Sequence, residues 1–119
     1  MDKLDIIFKK QKEFDDKVAK ERNLTHSKEE WVQKFCLAII DEVGELLNET
    51  NYKWWKNPKE INDDDLKEEI IDILHFVVGM SIKAGMDADE LFEVYQKKNK
   101  ENFARQAGLS DKKGYEILK

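Results

Sequence analysis

A chain of 119 residues with 40% hydrophobic residues fits one domain with a modest core, and residues 1–119 read as such. The formal net charge of −5 argues against broad polynucleotide binding, which needs a basic surface to follow phosphates. The longest apolar stretch, IIDILHFVVGMSI, contains Asp72 and His75 and is too short and too polar to span a bilayer. The opening MDKLD lacks a basic secretory region, so a cytoplasmic location is the default expectation. Cys36 is solitary, which excludes an intramolecular disulfide and a cysteine zinc site, and its place on an apolar face predicts a packed thiol.

One proline, five glycines and periodic runs of Lys, Glu, Leu and Ile predict an all-α chain of four helices. The first, about 3–22, carries Leu4, Ile7, Phe14 and Val18 on one stripe, with the amide of Gln11 at the position where a fifth core residue is expected. The second, about 28–50, opens on a capping box of Ser27 and Glu30. NYKWWKNPKEIND then reads as a connecting loop. The third, about 63–84, is apolar around most of its circumference, which predicts the central helix, with Gly85 at its end. The fourth begins at Asp87 with a second capping-box pattern to Glu90 and runs to about 106, before Gly108 and a tail over about 107–119.

Two of these helices break their own apolar pattern. On the second, Glu42 falls inside the apolar arc between Trp31 and Phe35, and Glu45 projects from its edge one turn away. On the third, Glu69 lies between the directions of Phe76 and Met80, with Asp72 just beyond Phe76. A single carboxylate pair at i, i+3 is ordinarily a solvated face. Two such pairs, each cutting into an apolar arc on adjacent helices, point instead to a facing cluster of Glu42, Glu45, Glu69 and Asp72. Four like charges there need cations. All-oxygen ligands suit a hard cation such as Mg²⁺, which accepts substrate phosphates as further ligands and so points to phosphate-ester or phosphoanhydride chemistry. A di-iron bundle would need two Glu-x-x-His motifs, and the chain offers only the partial likeness of Asp72 and His75.

DEVGELLNE followed by EEIIDILHF resembles the EExxE…ExxD pattern of the all-α nucleoside triphosphate pyrophosphatases, which include MazG-type enzymes and the dimeric dUTPases. Asp41 stands where the pattern has its first Glu. The Gln11 and Asp15 pair, the YKWWKN loop, His75–Phe76, KNKENFARQ and the following Gly114–Tyr115 make the dimeric dUTPases the nearer likeness. That resemblance implies a bundle of the MazG and dimeric dUTPase type in which Glu42, Glu45, Glu69 and Asp72 hold Mg²⁺ and Glu42 also orients or activates the attacking water. It further implies that Gln11, His75 and Phe76 contact base and deoxyribose, and that a loop tryptophan covers the base. Spacing favours Trp54 for that cover, with Trp55 the alternative. Lys98, Asn99, Asn102 and Arg105 match the phosphate-binding segment.

The expected activity is Mg²⁺-dependent hydrolysis of dUTP to dUMP and pyrophosphate by metal-activated water, in a homodimer that binds a small nucleotide and neither polynucleotide nor membrane. A MazG-like pyrophosphatase acting on dCTP or a modified nucleotide is the alternative within the superfamily; a non-catalytic helical module docking a protein through its tryptophans is the alternative outside it. Base choice hangs on Gln11. Its amide can match the N3–H and carbonyl of uracil, or rotate to meet the bare N3 and amino group of cytosine unless neighbouring groups fix it.

Overall fold

The computed structural model describes residues 1–118 and is all-α, with α1 (Lys3–Glu21), α2 (Lys28–Asn48), α3 (Asp63–Lys83) and α4 (Ala88–Gln106). The helix ends follow local chemistry. Ser27 and Glu30 form the reciprocal capping box expected for α2, at 3.1 Å in both directions. Asp2 and Asp5 form another at α1, and Asn62 caps α3 by accepting from the Asp64 and Asp65 N–H groups. At α4, Asp87 accepts the Glu90 N–H at 2.8 Å, one half of the expected box. Gly85 and Gly108 sit at φ +101° and +75°, left-handed positions just past the ends of α3 and α4 that glycine adopts without strain.

The chain divides into two compact units, Met1–Gly85 and Met86–Lys119. In the first unit α3 packs against both α1 and α2, the central position its apolar circumference predicts. Contacts set the directions. Glu42 meets Glu69, Phe35 meets Phe76 and Gly79, and Cys36 meets Met80, so α2 and α3 run antiparallel. Gln11 meets His75 and Asp15 meets Gly79, so α1 runs parallel to α3. The loop between α2 and α3 is closed by Asn51, whose amide donates to the Lys59 carbonyl at 2.6 Å and accepts the Lys59 N–H at 2.9 Å. Tyr52, Trp54 and Trp55 stand on the segment so enclosed, their rings edge to face. In the second unit, Glu101 accepts from Ser110 Oγ and from Arg105 Nε, tying the tail to α4.

Two expectations need correction. The buried residues of α1 are Phe8 and Gln11, whereas Ile7 and Phe14 of the anticipated stripe remain partly exposed because they border a cavity. Cys36 is exposed, its Sγ 3.7 Å from Met80 Sδ, because α3 covers only part of the broad apolar arc of α2.

At Gly79 side chains of α1 and α2 crowd against α3. A Cβ built there would lie 2.8 Å from Asp15 Oδ2 and 2.9 Å from Phe35 Cζ. Helix propensity alone would reward Gly79→Ala by about 1 kcal/mol. Phe35 is buried and cannot retreat, so overpacking costing about 1–3 kcal/mol should prevail. The variant is expected to unfold at lower urea concentration than the parent, and an unchanged or raised midpoint would contradict this close packing.

Candidate metal and nucleotide site

The antiparallel α2–α3 seam brings carboxylates together at one end. Glu42, Glu69 and Asp72 each offer an oxygen within 4.8 Å of the others, and all three residues are half-buried. Helical spacing explains the grouping: Glu69 and Asp72 lie one turn apart on α3 and face Glu42 across the seam. Glu42 Oε2 and Glu69 Oε2 are buried without a hydrogen-bond partner. Burial pushes the Glu42 carboxyl up to about 7, helped by its hydrogen bond to Glu69 and by the charges of Glu45 and Asp72. Burial likewise raises Glu69, against the bond it receives from Glu42, and the charges of Glu45, Asp72 and Glu49 add to the rise. Glu45 is exposed and outside the close triad, although near enough for its charge to act on both acids. Glu49 acts on Glu69 in the same way and has no place in the predicted set; its position seven residues from Glu42, on the same helix face, is the signal for it.

Buried anionic oxygens without donors are costly unless compensated. An all-carboxylate donor set with two orphaned oxygens fits a hard divalent cation, which takes oxygen ligands only.

On the α1 side of α3 lies a largely apolar pocket of about 290 Å³, lined by Ile7, Phe14, Ile71, Leu74 and Val78 together with Lys10, Gln11 and His75. Gln11 is buried there and lies between Asp15 and His75, with its Nε2 2.9 Å from Asp15 Oδ1 and its Oε1 2.7 Å from His75 Nδ1. Sequence pattern alone assigns Asp15 no role, although its i, i+4 spacing from Gln11 puts the two on one helix face. Phe76 turns to the other side of α3 and packs on Phe35, ring centroids 6.2 Å apart. Trp54 is 87% exposed and Trp55 62%, and neither lines this pocket.

In the second unit, Lys98, Asn99 and Asn102 are exposed on α4. Arg105 is engaged within the unit: its Nε donates to Glu101 at 3.2 Å and its guanidinium lies 5.3 Å from the Tyr115 ring centroid. The Ser110 and Arg105 bonds hold the Glu101 carboxyl below its ordinary value.

Comparison with known proteins gives a consistent direction. The sequence model of a family described as dUTPase matches residues 3–88. A dCTP pyrophosphatase of Enterobacteria phage T4 is 50% identical over 42 residues, which are 35% of this chain and 25% of that protein. A dCTP pyrophosphatase of Enterobacteria phage LZ5 is 50% identical over 42 residues, 35% of this chain and 24% of that one. A DNA replication protein of phage T4 is 47% identical over 36 residues, 30% of this chain and 9% of that one. The matched stretches thus span a quarter or less of these relatives. No solved structure matches the chain.

The raised carboxyl of Glu42 makes metal-free stability depend on pH in a definite direction. Unfolded, this group loses its proton near 4.5; folded, it keeps it until about 7. Between those values the folded state binds the extra proton, so the contribution of Glu42 is greatest below 4.5 and is lost as pH rises through 7. Glu42→Gln retains an N–H donor for Glu69 at every pH. Its urea midpoint, compared with the parent under chelator, should therefore gain progressively from pH 4.5 to 7; a difference independent of pH would contradict the raised Glu42 carboxyl.

Proposed function

Because the chain belongs to the dUTPase family, we propose that it is a nucleoside triphosphate diphosphatase that cleaves a pyrimidine deoxynucleoside triphosphate, preferentially dUTP, to the monophosphate and pyrophosphate. The observation that carries this reading is the pair of orphaned buried oxygens of Glu42 and Glu69 beside Asp72 in the α2–α3 seam. Glu42, Glu69 and Asp72, joined by the exposed Glu45, would hold Mg²⁺. A cation there supplies neutralisation of phosphate charge and polarisation of the phosphorus under attack.

The rest of the chemistry belongs to side chains. Glu42 is proposed to orient the attacking water, since its half-buried carboxylate can accept a proton from a nucleophile held against the seam. No covalent intermediate is required, because water attacks phosphorus directly and pyrophosphate leaves. Gln11 and His75 are proposed to read the base at the apolar pocket, whose Ile71, Leu74 and Val78 offer it an apolar wall. Phe76 is proposed to act near the sugar, and Trp54 or Trp55 to cover the base, an exposed aromatic being available to stack. Lys98, Asn99, Asn102 and Arg105 are proposed to grip the terminal phosphates, as donors suited to anionic oxygen.

A second substrate, dCTP, is favoured by the names of the two phage pyrophosphatases. Pairing of two copies is supported by the apolar stripe of Leu37, Ile40, Val43 and Leu47, which α2 leaves uncovered at helical spacing. No described helix is long and apolar enough to cross a membrane.

The deciding experiment measures pyrophosphate released from each deoxynucleoside triphosphate, with Mg²⁺ and with chelator. Mg²⁺-dependent release, highest with dUTP, is expected. Highest release with dCTP would shift the substrate and keep the reaction, whereas no release from any nucleotide would sink the enzymatic reading in favour of a helical protein-binding module. Glu42→Gln should lose turnover by about a hundredfold or more while keeping its helix content. Arg105→Ala should weaken binding of a non-hydrolysable triphosphate analogue more than of the monophosphate; equal weakening would remove Arg105 from the terminal phosphates.

A further inference from the structure

The Gln11 amide is tied at both ends, to Asp15 through Nε2 and to His75 through Oε1. An ionised carboxylate has no proton to offer, so the end of the amide that faces Asp15 must be the NH₂. The carbonyl oxygen then faces His75, and because a carbonyl only accepts, His75 Nδ1 must carry the hydrogen. In the neutral ring that leaves Nε2 bare, as an acceptor. One acidic side chain thus sets the donor and acceptor order of two further residues.

Asp15 is itself held in place. Its Oδ2 is buried without a partner and lies against Gly79, where even a Cβ would come within 2.8 Å. Burial raises the Asp15 carboxyl, while the Gln11 bond and the Lys83 charge favour the ionised form.

We infer that Asp15 is a positioning and specificity-determining residue: it fixes the orientation of the Gln11 amide and, through it, the Nδ1–H tautomer of His75, so that the pocket offers a single hydrogen-bond pattern and separates uracil from cytosine. An amide free to turn over could present N–H or C=O to a base with nearly equal ease. It could then meet the N3–H of uracil or the bare N3 of cytosine. Pinned between a carboxylate and an N–H, it cannot exchange the two without placing oxygen against oxygen at Asp15, and that mismatch, in a network that is part-buried, makes the wrong base costly. The discrimination rests on the pyrimidine reading of the pocket given above; the amide and tautomer assignment does not.

The test begins without nucleotide. Long-range ¹H–¹⁵N correlation spectra of the full chain, recorded well above the ordinary histidine titration range, report which ring nitrogen bears hydrogen. His26→Gln identifies the His75 signals. The parent is expected to show the Nδ1–H form. Asp15→Asn, which can donate as well as accept, should introduce the Nε2–H form, and Gln11→Ala should release the ring to it with Asp15 intact. A parent ring in the Nε2–H form, or a tautomer unchanged in both variants, would overturn the assignment. The second readout is the ratio of kcat/KM for dUTP and dCTP, expected to move towards unity by about tenfold in Asp15→Asn, the scale of one well-placed hydrogen bond. A changed tautomer with an unmoved ratio would refute the role in base choice. Absence of hydrolysis with every nucleotide would count against the proposed function alone, since the tautomer comparison still decides for or against Asp15.

Discussion

The approach of Glu42 to Glu69 and Asp72 is the arrangement around which the α2–α3 pair is organised. Three carboxylates with oxygens within 4.8 Å of one another repel, and two of those oxygens are shut away from water. These carboxylates do not favour closure on their own account. Closure comes from the other end, where Phe35 packs between Phe76 and Gly79, Trp31 packs on Phe35, and the Lys83 ammonium lies over the Trp31 ring. The two helices are thus apolar and interlocked at one end and acidic at the other. The raised Glu42 carboxyl answers that repulsion in part, and a divalent cation would relieve more of it.

The central helix serves both parts of the candidate site. Asp72 and His75 are one turn apart on α3, yet Asp72 faces the carboxylates of α2 whereas His75 meets Gln11 of α1. A separation of three residues turns the helix by about 300°, which sets the two side chains on adjoining faces. Any ligand that spans them would present one chemistry to the acidic seam and another to the apolar pocket. A nucleotide has that polarity, with a charged phosphate chain at one end and a flat, hydrogen-bonding ring at the other.

Gln11 shows why a polar residue is tolerated among core positions. It is buried, and its two known partners are Asp15 and His75 rather than backbone. In low-dielectric surroundings such bonds are strong and an unmade one is costly, so the network specifies orientation more than it adds stability. Gly79 belongs to the same logic. Its missing side chain is the space in which Asp15 and Phe35 stand, which links the geometry of the pocket to the packing of all three helices.

Local chemistry accounts for what was legible in the residues alone. The four helices, their Ser27 and Asp87 caps and their glycine ends follow from periodicity and capping, which act within a few residues of chain. The intrusion of Glu42, Glu69 and Asp72 into apolar arcs was visible for the same reason, since a helical wheel needs no partner to be drawn. What the wheel lacks is the neighbour. Only the packing decided that Glu42, Glu69 and Asp72 close up while Glu45 stays exposed, that Phe76 turns to Phe35 while His75 turns to Gln11, and that Phe8 rather than Ile7 or Phe14 is buried on α1. It also exposed Cys36, because α3 covers less of α2 than the apolar arc offers. The spacing of Gln11 and Asp15 is local to α1, but their orienting partnership needs α3, which closes on Asp15 Oδ2 and brings His75 to the other end of the amide.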